Sequence, residues 1–109
     1  NHNDHRQTGV AVLDAVYPLA RDLSSFPEHS KMGLTPLKVA EVYLFNFNEP
    51  NTVFDVGDTT DTKIKAILAH ESQIDDPNKT EKWMKERLAA LGKKSGYKYA
   101  EGFTKLVLR

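Results

Sequence analysis

Residues 39–47 constrain the fold of this chain more than any other segment. β-Branched and aromatic side chains dominate it, with Val42 and Leu44 on one face of an extended strand and Tyr43, Phe45 and Phe47 on the other. A strand apolar on both faces needs cover on both, as in a parallel sheet with helices above and below. A turn at Asn48, Pro50 and Asn51 follows, and residues 53–56 read as a second short strand. Helical signals fill most of the rest, so the pattern is α/β. Two strands bury little area, and the architecture reads as incomplete in itself.

The helical signals begin at the first residues. Asp4 and Gln7 have the form of a capping box, and Val12, Leu13, Val16 and Tyr17 recur at helical spacing. A helix is therefore predicted from about His5 to Tyr17, where Pro18 removes a backbone donor and stops it. Residues 24–36 hold Ser24, Ser25, Pro27, Ser30, Gly33 and Pro36 and predict a loop with room for one helical turn. Asp58, Thr59 and Asp61 offer caps for a helix whose apolar face is Ile64, Ile67, Leu68 and Ile74, and which then carries His70 and Gln73. Asp76 before Pro77 is an N-cap with proline at the first helical position. Trp83, Met84, Leu88 and Leu91 continue as an apolar stripe ending at Gly92, with Trp83 expected in the core. Residues 97–108 fit a helix or a strand equally well.

Composition narrows the function. Fifteen basic residues balance fifteen acidic ones, so no net field favours nucleic acid or anionic lipid as a partner. Lysines interleave with Tyr97 and Tyr99, but they follow a helix C-terminus, where lysines are ordinary. The chain contains no cysteine, which excludes disulfides and thiolate metal sites and fits a reducing, cytoplasmic compartment. No apolar run reaches the ~20 residues of a membrane span. The 109 residues suit one domain, and an oligomer is compatible with them but not specified. The chain opens at Asn1 on a histidine-bearing segment, so preceding sequence is expected.

That segment, His2-Asn3-Asp4-His5-Arg6, is the most informative chemically. A histidine in the first helical turn sits beside the positive end of the helix dipole, which favours the neutral ring and leaves a lone pair for a metal. Spacing alone does not make a metal site, because zinc needs three protein ligands in a catalytic centre, and a solvated terminus is the plain alternative.

Its wider context resembles the LmbE/PIG-L de-N-acetylases. His-x-Asp-His-Arg opening a helix is similar to the second metal motif of that family, and it continues here as Thr8-Gly9-x-Ala11-Val12-Leu13-Asp14-Ala15. Further stretches match in order: Phe26-Pro27-Glu28, Gly33-Leu34-x-Pro36, Glu41-Val42-Tyr43-Leu44, Asp55-Val56, Asp61-x-Lys63-Ile64, Ala69-His70-x-Ser72-Gln73 and Tyr99-Ala100-Glu101-Gly102-Phe103. Collinear matches over nearly the whole chain weigh more than any single one.

The resemblance implies a Rossmann-like, three-layer α/β fold, of which residues 1–109 would be the C-terminal part with few strands. It also implies a zinc-dependent de-N-acetylase acting on N-acetylglucosamine-type conjugates, with other divalent metals as alternatives. By that carry-over His5 is the third metal ligand, His2 stands by the metal as acid or oxyanion stabiliser, and Asp4 orients a histidine or caps the helix. Arg6, His70 and Gln73 are secondary candidates for the pocket. The position after His2, often proline in the family, is Asn3 here. The family's His-Pro-Asp-Asp motif, which supplies the other ligands and the base, does not occur in the chain. The missing N-terminal half of the domain is thus an expected partner, and these residues alone are expected to be inactive. The alternative reading is a non-catalytic binding or assembly module on the same fold. Glu101 is expected to be a buried, partnered carboxylate.

Overall fold

The structure, a computed structural model, describes residues 2–45 and 49–109. Its elements are α1 (Asn3–Val16), α2 (Pro27–Lys31), β1 (Glu41–Phe45), β2 (Thr52–Asp55), α3 (Thr60–Leu68), α4 (Pro77–Ser95) and β3 (Ala100–Val107). Short 3₁₀ turns lie at Leu19–Arg21, Gly57–Thr59 and Glu71–Gln73. Among the described residues the strands form one three-stranded sheet in the order β1-β3-β2. By contact the chain divides into two compact units, Asn1–Val42 with Val107–Arg109, and Tyr43–Leu106.

In the first unit α1 is two residues longer at its start than the sequence predicts. His2, not Asp4, is the N-cap: its side chain accepts from the Asp4 backbone N–H, and Asp4 lies in the first turn. A cap needs only an acceptor within reach of an early helical N–H, and an imidazole nitrogen meets that need as a carboxylate does. The helix stops at Tyr17, as Pro18 demands, and α2 is the single helical turn expected within 24–36. Gly33, at φ 78, takes a conformation that side-chain-bearing residues rarely adopt.

The second unit has the firmer core. α4 is capped as predicted, with Asp76 accepting from the Lys79 N–H and Pro77 at the first position. It buries Met84 and Leu88 and packs against α3, which buries Ile64. α4 does not end at Gly92 but runs on to Ser95, with Gly96 as its left-handed C-cap at φ 81. Gly92 is required for another reason: a Cβ there would lie 2.5 Å from the Tyr97 carbonyl oxygen, so the returning chain crosses the helix where no side chain fits. The caps offered by Asp58 and Asp61 are not made. Instead α3 is entered through the 3₁₀ turn, and the Thr60 hydroxyl donates to the Val56 carbonyl at 2.7 Å.

Residues 97–108, ambiguous in sequence, contain the central strand β3. It pairs antiparallel with β2, Thr52 opposite Phe103 and Val53 opposite Gly102, so a purely parallel sheet is excluded. Opposed residues in an antiparallel pair share a face, which separates Gly102 and Val53 from Phe103 and Thr52. A Cβ at Gly102 would lie 3.1 Å from Leu91 and closer still to Pro50, so the Gly102 face is the one α4 covers. On the opposite face, Phe103 gathers the rings of Tyr43, Phe45 and Phe54 at centroid distances of 5.7–6.2 Å. Tyr43 and Phe54 are each two-fifths or more exposed and Phe45 80% exposed, whereas Val42 is buried. Cover on both faces of residues 39–47 is therefore not found within the described residues, and Phe47 lies outside them.

Candidate functional site

The first turn of α1 brings His2, Asp4, His5 and Arg6 to one exposed helix end. The His2 and His5 ring centroids are 5.5 Å apart, inclined at 44°. His2 Nδ1 accepts from the Asp4 N–H at 3.2 Å, and the Asp4 carboxylate stands 3.7 Å from the same nitrogen. These two arrangements exclude each other chemically. A neutral ring whose Nδ1 accepts carries its proton on Nε2, whereas a charged ring must donate from Nδ1 and would turn from the backbone to Asp4. Arg6 donates from Nη2 to the Asn3 side chain at 3.4 Å and is otherwise open to water. His5 is the third helical residue rather than the first, still within the turn where the dipole acts.

Imidazole and carboxylate are the right donor types for zinc. Among the described residues, however, no three His, Cys, Asp or Glu side chains converge. The described residues thus offer at most part of a coordination shell, with the His2 and His5 rings and the Asp4 carboxylate as the candidate donors at this helix end.

His70 and Gln73 do not share a helical face. α3 ends at Leu68; the His70 backbone, at φ −84 and ψ 60, leaves the helical region and caps the turn Glu71–Gln73. Their link is through the backbone, Gln73 N–H donating to the His70 carbonyl at 2.8 Å, while the Gln73 side chain reaches Ser72 at 3.4 Å. Both side chains are exposed. This is the geometry of a capped turn.

Glu101 is partnered, as its position predicts: it forms a salt bridge with Lys63 of α3, and both are only partly exposed. Trp83, expected in the core, is instead 57% exposed with the Arg87 guanidinium 5.4 Å from its ring centroid. The i,i+4 spacing of Trp83 and Arg87 is the signal that could have found this pair. Both residues border a groove in the second unit.

No family model matches the chain. The diacetylchitobiose deacetylase of Thermococcus kodakarensis is 29% identical over 107 residues, covering 93% of this chain and 38% of the relative. A solved structure, the N,N'-diacetylchitobiose deacetylase from Pyrococcus horikoshii complexed with its inhibitor MPG, superimposes with a TM-score of 0.81 at 29% identity, over 98% of this chain and 41% of that one. This chain is similar to diacetylchitobiose deacetylases. It spans about two-fifths of the length of those deacetylases. The mixture of helices with a small sheet is therefore a partial α/β fold shared with these deacetylases. Among the described residues, no helix is long and apolar enough to cross a membrane.

Proposed function

We propose that this chain is the C-terminal part of a single LmbE/PIG-L-type domain, a metal-dependent hydrolase that removes acetyl groups from N-acetylated amino sugars or their conjugates. The single observation that carries this reading is the likeness to diacetylchitobiose deacetylases over nearly the whole chain, collinear with the His2–Arg6 segment. In this proposal His5 is one ligand of a zinc ion whose remaining ligands, and the catalytic base, come from polypeptide outside these 109 residues. Zinc, when bound, supplies Lewis acidity toward an amide carbonyl.

The chain's own residues then take four roles. Asp4 N–H holds the neutral His2 ring through Nδ1, which leaves Nε2–H to donate a hydrogen bond to the developing oxyanion. Only as an imidazolium, with Nδ1–H turned to the Asp4 carboxylate, can the ring give its Nε2 proton to the leaving amine. Asp4's carboxylate, 3.7 Å from Nδ1, stands ready to balance an imidazolium. Arg6 borders the same helix end and is proposed to meet a hydroxyl or acidic group of the sugar conjugate. His70 and Gln73 are proposed only to brace the pocket, since they interact through their turn.

The test is acetate release from diacetylchitobiose. A parent polypeptide of the relatives' length should turn it over and lose activity to a strong chelator, regaining it on zinc addition. Residues 1–109 alone should release no acetate. Robust turnover by these residues alone would overturn the proposed division of the site, and a parent indifferent to chelation would overturn the metal.

A further inference from the structure

The sheet has two unlike faces. Its Gly102 side lies against α4, while its Phe103 side carries Tyr43, Phe45, Phe54 and Phe103 in ring contact. All four rings belong to the second unit. Strand alternation sets them there: Phe103 follows Gly102 on β3, Phe54 is two residues from Thr52, which Phe103 opposes, and Tyr43 and Phe45 are two apart on β1. Tyr43 is 40%, Phe54 44% and Phe45 80% exposed. At about 150–250 Å² for a whole aromatic side chain, these three leave roughly 250–400 Å² of ring surface in water.

The ring geometry limits what can cover them. Neighbouring planes meet at angles from 38° to 87°, so edges and faces are presented together and make no flat platform for one planar guest. Such a surface suits interdigitating apolar side chains, as between the layers of one domain. A second copy of this chain is a poor occupant, because the exposed ring area falls short of the ~800 Å² per partner of a standard stable interface. The solved deacetylase relative shares the fold over 98% of this chain, and the shared part is only 41% of its own length. A polypeptide of that length has ample further chain to complete the layer.

We propose that the Phe103 face is a docking surface, covered in the parent polypeptide by an apolar layer from outside residues 1–109. This assignment rests on the chain being part of a larger domain, as proposed above, and not on the chemistry of that domain. Thiol labelling is a suitable probe, because these residues contain no cysteine. In the parent, Phe45→Cys and, separately, Phe54→Cys should react with iodoacetamide about tenfold more slowly than Lys93→Cys, an exposed position of α4, with each site read by mass spectrometry. Unchanged circular dichroism would verify the fold of each variant. In residues 1–109 alone the three thiols should react within about threefold of one another at any protein concentration. Equal rates at the three positions in the parent would overturn the proposal. Protection in residues 1–109 that grows with concentration would put a second copy on this face and overturn it as well. A parent that protects positions 45 and 54 yet releases no acetate would support this surface while sinking the deacetylase activity.

Discussion

The two long helices of this protein begin from similar sequence patterns and end in different states. α4 places Met84, Leu88 and Gly92 in the interior, whereas α1, with Val10, Val12, Leu13 and Val16, buries none of its residues among those described. Val10 and Val12 are each about half exposed. An isolated helix as short as α1's 14 residues is marginal in water, since most helical stability comes from packing an apolar face. The same apolar spacing thus specifies a core only where β3 and α3 supply the other side. α1 carries the candidate site, and α4 carries the stability.

Three changes sharpen that contrast. Leu88→Ala should lower the unfolding free energy of the second unit by about 2–5 kcal/mol, read by urea denaturation with Trp83 fluorescence, because a buried leucine is replaced by a cavity. A smaller effect is expected at the α4 cap: Asp76→Ala removes the acceptor for Lys79 N–H and should cost about 1 kcal/mol in the same assay. Val12→Ala in residues 1–109 should be neutral or stabilise by a few tenths, roughly 0.5 kcal/mol, since alanine is the better helix former and little packing is lost. Destabilisation by Val12→Ala as large as that by Leu88→Ala would erase the distinction between the helices.

A fourth and weaker effect depends on pH. Asp22 accepts from the Ser25 hydroxyl and from the backbone and hydroxyl of Ser24, which holds its pKa below the usual 3.8. A carboxyl depressed in the folded state contributes stability that is complete above its unfolded value and is lost as pH falls through the folded one. The loop at 22–25 should therefore loosen only below about pH 4, the ordinary carboxylate range, in amide exchange measured down the acid limb, and Asp22→Asn should remove that dependence.

Much of this was legible because the signals were local. Asp76-Pro77 marks the start of α4, and Pro18 marks the end of α1, since each acts on neighbouring backbone groups. What failed depended on distant chain. Gly92 reads as the helix stop in sequence, but it is a glycine because the Tyr97 carbonyl crosses it, and the left-handed cap is made at Gly96. Residues 97–108 become a strand because β2 pairs with them, a partner about 50 positions away that periodicity does not reveal. Trp83 is exposed while Met84 and Leu88 of the same helix are buried, a difference that packing sets and spacing alone does not, again a tertiary fact. At the candidate site, the segment His2–Arg6 was singled out by the resemblance of its motif, since residue types alone leave a solvated terminus open, and the identity of the cap was missed because His2 and Asp4 are both competent acceptors.

Metal content of the parent polypeptide tests the central proposal most directly. Purified with equimolar zinc and assayed by elemental analysis, the parent should hold close to one zinc per chain. His5→Ala should lose most of that metal, and His2→Ala should keep it while turnover slows. Equal zinc in the parent and in His5→Ala would contradict the assignment of His5 as a ligand.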